Sequence, residues 1–239
     1  MLIYPDLSQL EYRLIAHGTG DAKLITAFRN GEDIHTGLYV EIFGKRPKDT
    51  KDRKIAKTAR YAEVYGTGFA KFLYLLRLSG VKISVVEGRR IFDMMKGKFE
   101  AIDEYKNELK HELRGGGWLR NLFGRERYFD PKYFRGQWDK SGVKNMLREA
   151  FNWVFQSSGH DITELWTMEC VDLIDNKKVL LVNEVHDEFV LDVPLVSVKN
   201  AISAIKFVSS NLNTLIEETF SVRLQVPITV EIDKGKYWR

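Results

Sequence analysis

Two short acidic motifs far apart in the chain carry the residue types for metal chemistry: Asp6-Leu7-Ser8-Gln9-Leu10-Glu11 near the start and Val185-His186-Asp187-Glu188 near the end. Each follows an apolar run that reads as a strand, residues 1–5 for the first and 179–182 for the second. A strand delivers a carboxylate to its end, where a sheet can hold two such groups together, and paired hard-oxygen ligands on a rigid support suit a divalent cation. Between the motifs lies the series Arg53, Lys57, Tyr61, Tyr65-Gly66, with a spacing of four residues. On a helix that spacing stacks side chains along one face. Carboxylates for metal and a cationic helix face together describe a site for a nucleoside triphosphate. Between residues 45 and 60 there are eight Lys or Arg against two Asp. Taken alone, such a run reads first as a solvated basic face.

Several elements must position these residues. Ser8 followed by Glu11 predicts a capping box that starts a helix running to about His17, and Asp21 predicts another with Leu24, Ile25 and Phe28 on one face. A third helix is expected over 34–43. The basic helix follows Asp49-Thr50 and ends near Gly66-Thr67-Gly68, where glycines supply a stop and a turn. Further helices are expected over 69–78, from a Ser84/Glu87 capping box through Lys96, and over 99–114. Gly115-Gly116-Gly117 breaks the helical pattern, and 118–130 reads as a short hairpin turning at Phe123-Gly124. A long helix from Gly142 to Asp175 carries Arg148, Asn152 and Gln156 at a spacing of four, a second polar stripe. Residues 178–193 read as two strands meeting around His186-Asp187, because apolar and polar residues alternate on both sides. A helix over 196–219 and a last strand over 224–232 complete the chain. Strands at both ends with helices between make the middle an insertion.

Composition sets bounds. With 239 residues, 44% of them apolar, the chain can bury a sizeable core as one large domain or two small ones. A net charge of +4 favours a polyanionic partner only weakly. The single cysteine, Cys170, excludes an internal disulfide framework, suits a reducing compartment, and reads as a core residue of an apolar helix. No segment approaches the roughly 20 apolar residues of a membrane span, and the start lacks the charged-then-apolar order of a signal peptide. The reading is a soluble protein without a membrane partner, cytoplasmic, or in the host cytoplasm if viral.

The motifs resemble those of the family A DNA polymerases. Asp6-Leu7-Ser8-Gln9-Leu10-Glu11-Tyr12-Arg13 is similar to the first polymerase motif, Asp-Tyr-Ser-Gln-Ile-Glu-Leu-Arg. Arg53-x-x-x-Lys57-x-x-x-Tyr61-x-x-x-Tyr65-Gly66 resembles the second motif, and Val185-His186-Asp187-Glu188 the third. Glu32-Asp33-Ile34-His35, Gly124-Arg125-Glu126-Arg127-Tyr128 and the stripe Arg148, Asn152, Gln156 extend the resemblance over essentially the whole chain. It implies an α+β fold: an antiparallel palm sheet with a large helical fingers insertion, a right-hand polymerase lacking its thumb. The implied domains are 1–17, first part of the palm with Asp6; 18–137, fingers and connecting hairpin; and 138–239, second part of the palm with Asp187.

The resemblance also implies roles. Polymerisation is attack of a primer 3′ hydroxyl on a nucleotide α-phosphate, assisted by two magnesium ions about 3.5–4 Å apart. Asp6 and Asp187 would be the metal-binding pair, with the Leu7 carbonyl as an extra ligand and Glu188 as a further candidate beside its neighbour. Arg53 and Lys57 would face the triphosphate, Lys57 also serving the leaving group. His35 would be a further phosphate contact, or a structural histidine bonded to backbone. Gln9 belongs to the implied nucleotide-binding set. Tyr61 and Tyr65 would pack against the sugar and the base or template; without the motif they would read as core. Glu11 either completes the capping box or crowds the sugar 2′ position and so excludes ribonucleotides. Arg148, Asn152 and Gln156 would touch the primer-template on its minor-groove side, or form a solvated stripe. His186 would approach the primer terminus. The implied ligands are primer-template DNA and deoxynucleoside triphosphates.

Some residues depart from the pattern. Leu7 replaces the usual Tyr, and Gln156-Ser157-Ser158-Gly159-His160-Asp161 is looser than Gln-Gly-Thr-Ala-Ala-Asp. Tyr61 stands where many members have Phe, and Tyr there goes with tolerance of dideoxynucleotides. The first motif begins at residue six, whereas family members carry a thumb and a leading part of the palm before it. The expectation is the catalytic subunit of a split polymerase, as in a viral or phage replication system. A second chain would supply the thumb and upstream palm, with or without an exonuclease, docking on an apolar sheet edge near the first strand. Whether Met1 is a native start stays open. Two other readings remain: a single-subunit RNA polymerase-like fragment, against which Glu11 and Glu188 argue, and a nucleic-acid-binding subunit without catalysis, against which the retained carboxylates argue.

Overall fold

Apolar side chains recur in two periods along this chain, every second residue in segments near its ends and every third or fourth between, and the structure follows that division. The computed structural model of the chain describes residues 1–95, 97–130, 140–174 and 177–238. In chain order the elements are β1 (Leu2–Leu7), α1 (Leu10–Thr19), α2 (Ala22–Arg29), α3 (Ile34–Phe43), α4 (Thr50–Val64), α5 (Phe69–Leu78), α6 (Val85–Met95) and α7 (Glu100–Gly115). There follow β2 (Trp118–Arg120), β3 (Glu126–Tyr128), α8 (Lys140–Ile174), β4 (Leu180–Val185), β5 (Glu188–Asp192), α9 (Val198–Phe220) and β6 (Val230–Gly235). The chain splits into two units, one of Met1–Gly18, Arg120–Glu126 and Trp153–Arg239, the other of Thr19–Leu119 and Arg127–Asn152. The division falls inside α8, between Asn152 and Trp153. The expected boundary at 137/138 and the expected helix ends at Lys96 and Asp175 lie outside the described residues.

The first unit is built on a four-stranded sheet in the order β4-β5-β1-β6, with β1 antiparallel to both of its neighbours and β4 antiparallel to β5. Ile3 and Leu7 of β1 and Phe189 and Leu191 of β5 are wholly buried. Trp166 of α8 packs on Phe189 at 4.6 Å between ring centres. Its Nε1–H donates to Ser209 Oγ of α9 at 3.1 Å, so the buried indole is satisfied. Cys170 sits in this core, and burial pushes its thiol up to about 12. It stays protonated and unreactive.

Three features of this unit depart from expectation. Ser8 does not cap α1: its hydroxyl donates to Glu231 Oε1 at 2.8 Å, and the helix starts two residues later, with Arg13 N–H on the Gln9 carbonyl. The last strand runs over Val230–Gly235, not 224–232. Leu224, Val226 and Ile228 are buried in the alternation a strand would show. Side chains take that segment's backbone groups instead: Arg13 donates to the Pro227 carbonyl, and Asn213 bonds the Val226 carbonyl and the Ile228 N–H. Finally, β1 is paired on both sides, so the apolar border is not beside the first strand. It lies at β4, where Leu180, Leu181 and Val182 are 55, 47 and 52% exposed. A bulge between Leu181 and Asn183 interrupts that strand's register.

The second unit is helical. Asp21 caps α2 by accepting from Lys23 and Leu24 N–H, and Leu24, Ile25 and Phe28 are buried as their spacing predicts. Asp33 caps α3 in the same way through His35 and Thr36. Ser84 accepts from Glu87 N–H at the head of α6, but the Glu87 carboxylate turns to Arg90 and does not close the box. Phe92 of α6 meets Phe69 and Phe72 of α5 at 5.7 and 5.5 Å. Helix α4 ends before Gly66, whose φ of 60° is the left-handed conformation that favours glycine. Among the described residues no helix is long and apolar enough to cross a membrane.

Candidate functional site

The sheet brings together the two acidic motifs that the sequence keeps far apart. Asp6 lies in β1 directly opposite Glu188 of β5 on one side and Glu231 of β6 on the other. The main-chain N–H of Leu7 donates to the Asp187 carbonyl at 2.8 Å, tying the end of β1 to the turn between β4 and β5. Asp6 and Asp187 are half-buried, whereas the Leu7 side chain is wholly in the core. Among the described residues no three His, Cys, Asp or Glu side chains are arranged to hold an ion by themselves. One or two carboxylates, with substrate phosphates and water completing the shell, are the ligands that magnesium takes. The donor set of this sheet end fits that ion.

Strain concentrates at the same place. Among the described residues, three non-glycine residues have positive φ: Gln9 at 55°, His186 at 58° and Ser221 at 57°. Ser221 ends α9, while Gln9 and His186 stand in the two acidic motifs. His186 and Asp187 form the two-residue loop between the paired Val185 and Glu188, where glycine commonly takes such a φ. Non-glycine residues held this way cluster at functional sites. Gln9 Oε1 is buried without a hydrogen-bond partner, an acceptor that a ligand donor would satisfy. Glu11 lies in the first turn of α1 with Oε1 buried, and the capping role open to it in the sequence is not filled, because the Ser8 main-chain N–H it would accept from donates to the Thr229 carbonyl at 2.8 Å.

In the second unit, α3 and α4 build a cationic and aromatic cluster. Arg53 is bidentate to Asp33, Nε to Oδ2 at 2.6 Å and Nη2 to Oδ1 at 2.8 Å. Burial alone would raise the Asp33 pKa, but the Arg53 and Thr36 hydrogen bonds, the Arg53 charge and the His35 N–H outweigh it and hold it well below the ordinary carboxylate range. His35 is 2% exposed, and its pKa falls to about 3 through burial first and then the charges of Arg60 and Arg53. It is a neutral imidazole, able to donate a hydrogen bond but not to act as a cation. Tyr61 stacks between Tyr65, at 5.6 Å, and His35, at 6.4 Å, with Lys57 Nζ 5.8 Å from its ring centre. Lys57 itself is exposed.

The basic run divides along the helix. Lys45, Arg46, Lys48, Lys51, Lys54 and Lys57 are exposed, while Arg53 is engaged by Asp33 and Arg60 is buried, donating to the Ile34 carbonyl at 3.0 Å. On α8, Arg148 donates to the Gly66 carbonyl at 2.9 Å, and its Nε is buried without a partner, as is Asn152 Oδ1. These two are half-buried, whereas Gln156, in the first unit, is exposed.

The roles of Asp33, Glu231 and Trp238 were not read from the sequence, because each depends on a partner distant along the chain. Trp238 Nε1–H donates to Glu188 Oε1 at 2.5 Å. The match over 124–128 also acquires a partner: Arg125 is paired with Asp161, and Asn121 Nδ2 donates to the same carboxylate at 2.6 Å. Thus the hairpin and the loosened segment after Gln156 are locked to each other.

The family model described as DNA polymerase family A matches residues 1–239. DNA polymerase I of Helicobacter pylori (strain ATCC 700392 / 26695) is 33% identical over 99% of this chain and 25% of its own length. DNA polymerase I of Synechocystis sp. is 28% identical over 100% of this chain and 24% of its own. The chain thus spans about a quarter of these relatives. Among solved structures, the POL domain of Pol1 from M. smegmatis, in complex with DNA primer-template and dNTP, superposes with a TM-score of 0.78 at 23% identity. That match covers 99% of this chain and 40% of the other.

Proposed function

Because the chain belongs to DNA polymerase family A, we propose that it carries out template-directed DNA synthesis, joining a primer 3′ oxygen to the α-phosphorus of a deoxynucleoside triphosphate and releasing pyrophosphate. The observation that carries this reading is the Leu7 N–H to Asp187 carbonyl bond, which unites two carboxylate motifs on one rigid sheet end. Asp6 and Asp187 are the residues to hold divalent ions, two magnesium ions in the full reading, with Glu188 and the Leu7 carbonyl beside them. Ions held there would supply stabilisation of negative charge on the attacking primer oxygen and on the departing pyrophosphate.

The chain's own residues then divide the remaining work. Arg53 and exposed Lys57 supply charge-assisted contacts to phosphate, and Lys57 Nζ holds a proton for the leaving group. Neutral His35 adds a hydrogen bond to the same phosphates. Tyr61, fixed in its ring stack, packs against the sugar, and Tyr65 against the base or template. Glu11 excludes a 2′ hydroxyl, and Gln9 accepts from the nucleotide. Arg148, Asn152, Gln156 and His186 contact the primer-template. Helix α1 and the strands of the first unit act as palm, and the helices of the second unit as fingers. The sequence spans 40% of the chain of the solved neighbour, and we propose that the remaining elements of a polymerase domain, on the same polypeptide or on a partner, complete the grip on DNA.

Primer extension by Asp6→Asn and Asp187→Asn, beside a DNA-binding assay, tests the central claim. Both should reduce incorporation to background while binding to primer-template persists. Undiminished synthesis by either variant would sink the assignment.

A further inference from the structure

Asp6 is the middle of three carboxylates set abreast across three strands, with Glu188 on β5 and Glu231 on β6 opposite it. Side chains directly opposite in an antiparallel pair share a face, and like charges so placed repel. Each flanking carboxylate has its own donor. Ser8 Oγ–H holds Glu231 Oε1 at 2.8 Å, and Trp238 Nε1–H holds Glu188 Oε1 at 2.5 Å. The second donor arrives by a fold-back of the chain after β6. A Cβ on Gly235 would lie 3.0 Å from the Tyr237 carbonyl oxygen and 3.1 Å from the Tyr4 hydroxyl, a close fit that glycine accommodates without displacing either neighbour.

An indole N–H is a donor only. It can hold a carboxylate oxygen, but it cannot ligate a cation or take a proton from one. A carboxylate oxygen that accepts this bond at 2.5 Å is held toward Trp238, and the lone pair it uses there is not available to an ion. We propose that Trp238 is a positioning residue of the ion site: it restrains Glu188, so that the protein presents Asp6 and Asp187, and not a third carboxylate, to the metal. This rests on the reading of Asp6 and Asp187 as ion ligands. Limiting the protein ligands in this way keeps positions for phosphate and water, which a site built around a triphosphate requires.

The test is direct ion binding to the purified chain, with Mn²⁺ as probe, followed by its paramagnetic resonance signal. Trp238→Phe, at a side chain 42% exposed, removes the donor and keeps the ring. It should tighten Mn²⁺ binding about tenfold, since one more anionic oxygen becomes available to a divalent cation. Glu188→Gln in the Trp238→Phe background should return the affinity to that of the unaltered chain, which a general loosening of the fold would not do. An unchanged affinity in Trp238→Phe, while Asp187→Asn weakens binding, overturns the restraint alone. If Asp187→Asn leaves the titration unchanged, the ions bind elsewhere, and both the ligand assignment and the restraint are overturned.

Discussion

Arg53 gives two parallel hydrogen bonds to Asp33, at 2.6 and 2.8 Å, and Asp33 with the same two oxygens caps α3 through the N–H groups of His35 and Thr36. One carboxylate therefore starts one helix and aims the guanidinium of the next. Asp33→Ala should cost about 1 kcal/mol for the lost cap, and a further 0.2–1 kcal/mol, roughly, for a pair this exposed. Asp33→Asn keeps the cap and should lose only the second part. Urea denaturation of the two variants separates them. The depressed carboxylate pKa adds a pH signature: its stabilisation is full above about pH 4 and is lost as pH falls below that. In Asp33→Asn the acid limb should flatten.

His35 produces a second acid limb at higher pH. It is neutral in the fold with a pKa of about 3, against an ordinary value of 6.5, so between these values the unfolded chain binds a proton that the folded chain does not. Stability should be greatest above pH 6.5 and decline as pH falls from there toward 3, by a few kcal/mol at most at about 1.4 per pH unit. Unfolding midpoints of His35→Gln across that range should lose this slope. A slope equal to that of the unaltered chain would mean that His35 is protonated in the fold.

Glu11 has no capping partner in Ser8, so its substitution separates a role in selectivity from one in stability. Glu11→Ala should lose the first-turn helix-dipole contribution, about 0.3–1 kcal/mol. It should raise the ratio of ribonucleotide to deoxyribonucleotide specificity constants. An unchanged ratio would remove Glu11 from the sugar-sensing role.

Asp161 is the buried centre of the hairpin lock, 7% exposed, with Arg125 and the buried Asn121 on it. The Arg125 side chain is 54% exposed and regains water if its partner is lost, so the cost of Asp161→Ala falls on the stranded Asn121 amide. That is about 1–3 kcal/mol. Asn121→Ala combined with Asp161→Ala should cost less than the sum of the two single changes. Chemical denaturation of the four proteins gives the coupling.

How far the sequence could be read depended on whether partners were close along the chain. Asp21 and Asp33 sit at the head of the apolar periods they cap, so α2 and α3 were legible almost to the residue. Ser8 and Glu11 have the same local spacing, yet Glu231 takes the Ser8 hydroxyl from across the sheet. Leu224, Val226 and Ile228 alternate as a strand does, but backbone satisfaction comes from Arg13 and Asn213 on two helices, and no local pattern announces that. Of the candidate site, the two acidic motifs and the Arg53 to Tyr65 series could be read from residue types and spacing. What could not be read was restraint: Asp33 on Arg53 and Trp238 on Glu188 are contacts of the folded chain only.

The bulged border strand β4, with Leu180, Leu181 and Val182 each about half open to solvent, also sets how this chain behaves in a tube. Its outer rim is a template for zipping on more chain, and the bulge interrupts that template without adding charge. Turbidity and light scattering should rise with protein concentration from this rim. A lysine at Leu181 would act as a gatekeeper, lifting the solubility ceiling while leaving the acidic end of the sheet untouched.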